Sequence, residues 1–168
     1  KIKEKYPNFK IALGNEIYLT DDRSTGQKYY HFILIAKDAI GYRALKELSS
    51  IAWQNLYIDR KMERVPLLKS ELKPIVEKYK GHLIATTACI GGELGTCLLK
   101  AVEYREQENS YELYQTLKQI DTFLTFCQDL FGEDFYLEIA PSTAADQKLV
   151  NHMIYKIGRS YGIKVEVA

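Results

Sequence analysis

Short apolar runs that read as strands alternate along this chain with amphipathic stretches that read as helices, and that alternation constrains the fold more than any other feature. Tyr29 to Ala36 is a near-continuous apolar run suited to a strand buried on both faces. His82 to Thr86 and Phe135 to Ala140 are two more, the second ended by Pro141. Phe9 to Leu13 reads as a short strand broken by Gly14, Glu16 to Leu19 resumes extended character, and Ile163 to Ala168 starts a last strand. Between them the spacing predicts helices. Asp38 is a suitable N-cap for one that runs to about Trp53 with Ile40, Ala44, Leu48 and Ile51 on one face. Ser70 caps a short helix to Tyr79 that Pro74 interrupts, and Glu93 to about Val102 turns Leu94, Leu98 and Ala101 inward. Ser110 opens the longest helix, with Leu113, Leu117, Ile120, Leu124, Cys127 and Phe131 in a stripe and Gly132 as its stop. Thr143 opens a final helix on which Val150, Met153 or Ile154, Ile157 and Tyr161 face inward. The order predicts an α/β domain with a mostly parallel sheet and right-handed crossovers, open or closed into a barrel.

The remaining stretches read as connections. Thr20 to Gln27 is a polar loop with Asp21, Asp22, Ser24 and Gly26 as turn formers, and Asn55 to Val65 is a charged loop carrying Arg60, Lys61, Glu63 and Arg64, closed by Pro66. Lys1 to Asn8 reads as the tail of a helix. With a strand running off the other end, residues 1–168 are expected to be a single truncated domain cut from something larger.

Composition excludes several classes. The 23 basic and 22 acidic residues nearly cancel, to a net charge of +1, which leaves no electrostatic footprint for gripping nucleic acid unaided. No apolar run approaches the ~18 residues of a membrane span, and the first ten residues lack a signal peptide's apolar core. The three cysteines, Cys89, Cys97 and Cys127, are odd in number and form no C-x-x-C pair, so the expectation is a reduced, cytoplasmic protein without membrane contact.

The residues with chemical potential sit on separate strands. Glu16, His31 and Cys89 offer a carboxylate, an imidazole and a thiol, and strand-borne groups far apart in sequence become neighbours across a sheet. Together they suit zinc or a related transition metal. Each also has a plainer reading: Glu16 as a solvated residue at a strand start, His31 as a hydrogen-bonded core histidine, Cys89 as a small buried apolar residue. Glu138, inside the strand Tyr136 to Ile139, is too costly to bury unpaired and must face solvent, a partner or the mouth of a site. His82 reads as a surface or loop histidine, His152 as a solvated or half-buried helix residue, Cys97 and Cys127 as core, and Gly91, Gly92 and Gly95 as a tight turn into a helix rather than a phosphate cradle.

Six segments occur in one order: Gly14–Tyr18, Tyr30–Lys37, Gly41–Leu45, Gly81–Ile84, Ala88–Glu93 and Phe135–Ile139. In these the chain resembles the PHP (polymerase and histidinol phosphatase) domain family, in the form found at the front of bacterial replicative DNA polymerase III alpha subunits. The resemblance implies a partial, distorted seven-stranded β/α barrel with mostly parallel strands. It implies zinc or manganese ions, up to three in an intact domain, with Glu16, His31 and Cys89 as metal ligands and Glu138 as a residue of the pocket. The family's H-x-H strand, its aspartate and D-H pair, and its closing D-x-H strand end would fall outside these residues. Metal is therefore expected to be absent or substoichiometric in this piece, and the piece itself inactive. For the parent, the resemblance implies a DNA-directed DNA polymerase whose PHP domain is a metal-dependent phosphoesterase, a 3'-5' exonuclease or pyrophosphatase. The alternatives are a non-catalytic docking module for the polymerase or a free-standing PHP phosphoesterase. DNA and nucleotides would be met through the parent, a proofreading subunit is an expected partner, and open sheet edges are expected to pair with a second copy.

Overall fold

Asp38 shows how locally the chain's turns are set. Its Oδ1 accepts from the Ile40 and Gly41 amides at 2.8 and 2.9 Å, the N-cap geometry that starts the helix expected there. A computed structural model describes residues 2–24, 29–59 and 61–168; Lys1, Gly26, Gln27 and Arg60, named above in a helix tail and two loops, lie outside the described residues. In chain order the elements are α1 (Ile2–Lys5), β1 (Leu13–Thr20), β2 (Tyr30–Ala36), α2 (Ala39–Gln54), β3 (Tyr57–Asp59), β4 (Met62–Arg64), β5 (Pro66–Leu68), α3 (Lys69–Lys78), β6 (Leu83–Thr86), α4 (Glu93–Glu106), α5 (Ser110–Phe131), β7 (Phe135–Ile139), α6 (Ala145–Tyr161) and β8 (Lys164–Val167). A single 3-10 turn, Gly132–Asp134, joins α5 to β7.

Six strands form one sheet in the order β5-β1-β2-β6-β7-β8, while β3 and β4 make a separate hairpin. The pairings β5·β1, β6·β7 and β7·β8 are parallel, and both pairings of β2, with β1 and with β6, are antiparallel. Five strands thus point one way and β2 alone runs against them. This is the mostly parallel α/β sheet expected of a partial β/α barrel. Its register gives each face a distinct character. Ile17, Leu19, Phe32, Leu34, Ala85, Phe135 and Leu137 lie on one face and form the buried core with Ala44, Leu48, Leu94, Leu98, Phe123, Leu124, Val150 and Ile154 of the helices. Glu16, Tyr18, His31, Thr86, Glu138 and Glu166 fall on the other. Burying the core's apolar surface at about 25 cal/mol per Å² supplies the main stabilisation.

Several boundaries differ from the sequence reading. Phe9 and Ile11 are exposed and outside any strand, and Gly14 does not break β1 but lies inside it opposite Ile35. The inward face of α2 is Gly41, Ala44, Leu45, Leu48 and Ala52, leaving Ile40 exposed. The shift follows from close approach: a Cβ on Gly41 would meet the His82 carbonyl oxygen at 2.1 Å, so only glycine lets the helix settle there. Leu117 on α5 is likewise exposed, with Thr116 turned in instead. The helix's cap is Asn109, whose Oδ1 accepts from Glu112 N. The expected charged loop after Asn55 folds into the β3–β4 hairpin, turning through Lys61 at φ 69. Pro66 begins edge strand β5 rather than closing a loop, a position where its missing N–H costs little. Pro74 does not interrupt α3, because only the bond to the Ser70 carbonyl is lost. The start of α3 is secured by Glu71, whose Oε2 accepts from Leu68 N at 3.0 Å.

Candidate metal centre

Reversal of β2 puts its beginning beside the ends of its neighbours. Tyr18 of β1 pairs directly with His31, Glu16 lies two residues back on the same face, and His31 also bridges to Gly92 in the turn after β6. His31 N donates to the Gly91 carbonyl at 3.2 Å, which pins that turn against the first residues of β2. The result brings Glu16, His31 and Cys89 together: one donor atom from each lies within 4.8 Å of the others. His31 Nδ1 is 2.7 Å from Glu16 Oε1 and 3.6 Å from Cys89 Sγ. Gly91 N donates to the same sulfur at 3.4 Å. Glu16 is exposed, and His31 and Cys89 are partly so, so the cluster is open to solvent.

The dimensions can be compared with a metal's needs. Bonds of about 2.0–2.3 Å at tetrahedral angles place ligand atoms roughly 3.3–3.7 Å apart. The imidazole–thiol separation already meets that. The imidazole–carboxylate distance is that of a hydrogen bond and needs about half an ångström of opening, within reach of a glutamate's free rotamers. The donor set of one N, one S and one O is a borderline-soft set suited to zinc.

The turn that presents Cys89 is tightly braced. Ala88 has φ 58, a left-handed conformation that costs an alanine about 1–2 kcal/mol. Its N–H donates to Thr86 Oγ1 at 3.2 Å, and that hydroxyl in turn donates to Glu138 Oε2 at 2.6 Å. Thr87 Oγ1 accepts from Glu138 N at 2.9 Å. Glu138 is therefore buried, 6% exposed, and bonded to the turn's scaffold rather than among the three converging donors. Glu166 on β8 is in register beside it, and burial, then the Glu138 charge, pushes the Glu166 carboxyl up. Gly92 closes the turn. A Cβ there would meet the Thr87 carbonyl oxygen at 2.1 Å.

Behind the turn sits a buried ion pair that the sequence pattern did not single out. Glu93, the first residue of α4, is 2% exposed, and Lys69 Nζ lies 2.9 Å from its Oε2. Gln119 Nε2 donates to Glu93 Oε1 at 2.9 Å, and Lys69 also donates to Asp21 at 3.0 Å. Burial pushes the Lys69 ammonium down, but Glu93 and Asp21 outweigh it and hold it above the ordinary lysine value. Residues from the end of β1, the starts of α3 and α4, and the middle of α5 are tied at one point. The only sequence signal was an acidic residue in a helix's first turn, which the helix dipole favours anyway. Of the residues read as lying outside any site, His82 is partly exposed and pairs with Asp38 at 2.7 Å, His152 is exposed, and Cys97 and Cys127 are fully buried. Burial pushes the Cys127 thiol well up. None of the helices is long and apolar enough to cross a membrane among the described residues.

Comparison with known proteins gives a consistent picture. The family profile of the PHP domain matches residues 1–142. The chain is 36% identical over 169 residues to the probable DNA polymerase YorL of Bacillus subtilis (strain 168), covering 95% of this chain and 13% of that protein. It is 31% identical over 171 residues to the DNA polymerase III subunit alpha of Borreliella burgdorferi, covering 98% of this chain and 13% of the relative. The figures for the subunit alpha of Aquifex aeolicus are 27% over 173 residues, 96% and 13%. The chain thus spans about 13% of the length of these relatives.

Proposed function

The chain belongs to the PHP domain family, and on that footing we propose that it is the PHP module of a longer DNA-directed DNA polymerase, with Glu16, His31 and Cys89 as ligands of a divalent metal ion. The observation that carries the metal reading is the convergence of a carboxylate, an imidazole and a thiol within 4.8 Å from β1, β2 and the turn after β6. Held by these residues, a divalent ion would lower the pKa of a water toward neutrality and would supply a nucleophile for phosphoester cleavage. The chain's own contribution is positional. β1 and β2 hold the carboxylate and imidazole on one face, and the Thr86–Glu138 bond steadies the turn that carries the thiol. Three protein donors leave a further coordination position open, which suits a catalytic site. Nucleotide addition, contact with DNA and the docking of a proofreading subunit would be tasks of the parent chain. The unpaired edge of β8 is the place where a second copy would add.

Cobalt(II) titration tests the reading. Binding through Cys89 gives a sulfur-to-metal charge-transfer band in the near ultraviolet, saturating at one ion per chain. The band is expected to vanish in Cys89→Ser and to weaken strongly in His31→Ala. A spectrum without that band, or one that Cys89→Ser leaves intact, would reject the site and favour a docking module without chemistry of its own.

A further inference from the structure

The β3–β4 hairpin ends in Arg64, which reaches the same face of the sheet as the three donors. Its Nη1 donates to the Tyr18 hydroxyl at 3.1 Å, and its guanidinium carbon lies 5.5 Å from the ring centres of both Tyr18 and Tyr29. The two tyrosine rings are 4.4 Å apart, and Tyr18 in turn stands 5.7 Å from the His31 imidazole. Arg64 is thus two ring contacts from the candidate metal ligand. The aromatic stacking fixes the orientation of the guanidinium without neutralising it.

Among the described residues, two partly buried cations face carboxylates: Arg23 meets Glu71, and Lys69 meets Glu93 and Asp21. Arg64 has no ion pair among the described residues. Its Nη2 has only the Met62 sulfur, at 3.6 Å, and its Nε is buried without a hydrogen-bond partner. The buried Nε is closed to an incoming ligand, but Nη1 and Nη2 each keep an N–H beyond these contacts, and that pair of donors on a permanent charge is matched to an oxyanion that can accept two hydrogen bonds at once.

We infer that Arg64 is a substrate-binding residue of this site and that the group it holds is the phosphoryl of a phosphoester. The inference deepens the proposed function and rests on it for the identity of the site. Tyr18 and Tyr29 are positioning residues, since they act through the guanidinium they orient.

The experiment measures binding to the metal-free chain in the presence of a chelator, with inorganic phosphate and thymidine 5'-monophosphate as probes, followed by phosphorus NMR. Wild-type binding of both is expected, with at least a tenfold loss in Arg64→Ala. Arg64→Lys keeps the charge without the fork and is expected to fall between the two. Tighter binding of the nucleotide than of inorganic phosphate assigns the site to an ester, and equal binding assigns it to free phosphate. A wild-type chain that binds neither probe, or an Arg64→Ala chain that binds as wild type does, overturns the assignment. Should Arg64→Ala fail to fold, as judged by circular dichroism, Arg64→Lys decides: a severalfold loss supports the assignment and unchanged affinity overturns it. Cobalt uptake separates the two proposals. A chain that takes cobalt but binds phosphate regardless of Arg64 refutes this inference alone, whereas Arg64-dependent phosphate binding without cobalt uptake refutes only the metal site.

Discussion

Replacing Lys69 by methionine should be among the most damaging single changes available in this fold. The substitution keeps most of the aliphatic stem but removes the ammonium that lies 2.9 Å from a carboxylate only 2% exposed. At that separation, with an effective dielectric of ~20, the direct attraction is about 6 kcal/mol. Part of it offsets the cost of burying both charges, so the measurable loss is smaller. Breaking a buried pair by removing one partner typically costs about 3–5 kcal/mol, because the remaining charge is uncompensated. Glu93 would keep the Gln119 bond and the start of α4, which favours the lower half of that range. Against the roughly 5–15 kcal/mol stability usual for a domain, that is a large share. Urea denaturation at neutral pH reads it directly. The double variant Lys69→Met/Glu93→Gln should recover most of the loss, since no unpaired charge remains. The pH dependence has a definite sign. Lys69 is raised in the folded state, so its stabilisation is complete below the ordinary lysine value of 10.5 and is lost as pH rises through the higher folded value. A single variant that costs under about 1 kcal/mol, or a double variant no better than the single, would refute the view that Glu93 depends on Lys69 for compensation.

Three further outcomes are expected. Gly92→Ala forces a Cβ to 2.1 Å from a backbone oxygen, so the turn before α4 must move. Thermal denaturation should show a marked drop in melting temperature, and wild-type stability would show that the turn yields freely. Glu166→Gln should flatten part of the pH dependence of stability. Its carboxyl is raised in the fold, so stability contributed by the protonated form is lost as pH climbs from the ordinary value of 4.5 through the raised one. Melting curves between pH 4 and about 8 check this, and identical profiles for variant and wild type would remove Glu166 from the account. Glu16→Gln or His31→Ala should leave stability within about 0.5–1 kcal/mol of wild type while impairing metal uptake, since the pair is largely solvent-exposed. A large loss of stability would mean the cluster is structural.

Much of this was legible before any coordinates. Tyr30–Ala36, Leu83–Thr86 and Phe135–Ile139 declare themselves by β-branched and apolar density, and Asp38 announces α2 because a cap is a local device. Glu16, His31 and Cys89 could be grouped from residue type and strand placement, and the resemblance of their surrounding motifs to one family strengthened the grouping. The pattern failed where tertiary contact decides. Gly14 looks like a breaker but sits in a ladder held by its neighbour β2, and the face of α2 depends on a helix–strand approach that only Gly41 permits. β5 is three residues led by a proline, too short for periodicity, and it exists because β1 offers an edge. Glu138 was expected to need solvent, a partner or the mouth of a site, and the partner it finds, the Thr86 hydroxyl 52 residues away in sequence, could not be named from the pattern. Arg64 gave no signal at all, being one charge among several in a stretch that reads as a loop.

The register between β1 and β2 bears on how these three donors can be inherited. A slip of one residue would turn Phe32 and Leu34 away from the core and bring His31 into it, so the apolar alternation alone keeps the strands aligned. The donors contribute nothing to that alignment; they ride on it. Substitutions at Glu16, His31 or Cys89 can accumulate by drift without selection for folding opposing them, while the scaffold that displayed them persists. A lineage could lose the three donors and keep the architecture, and a single well-placed reversion would find the geometry still waiting.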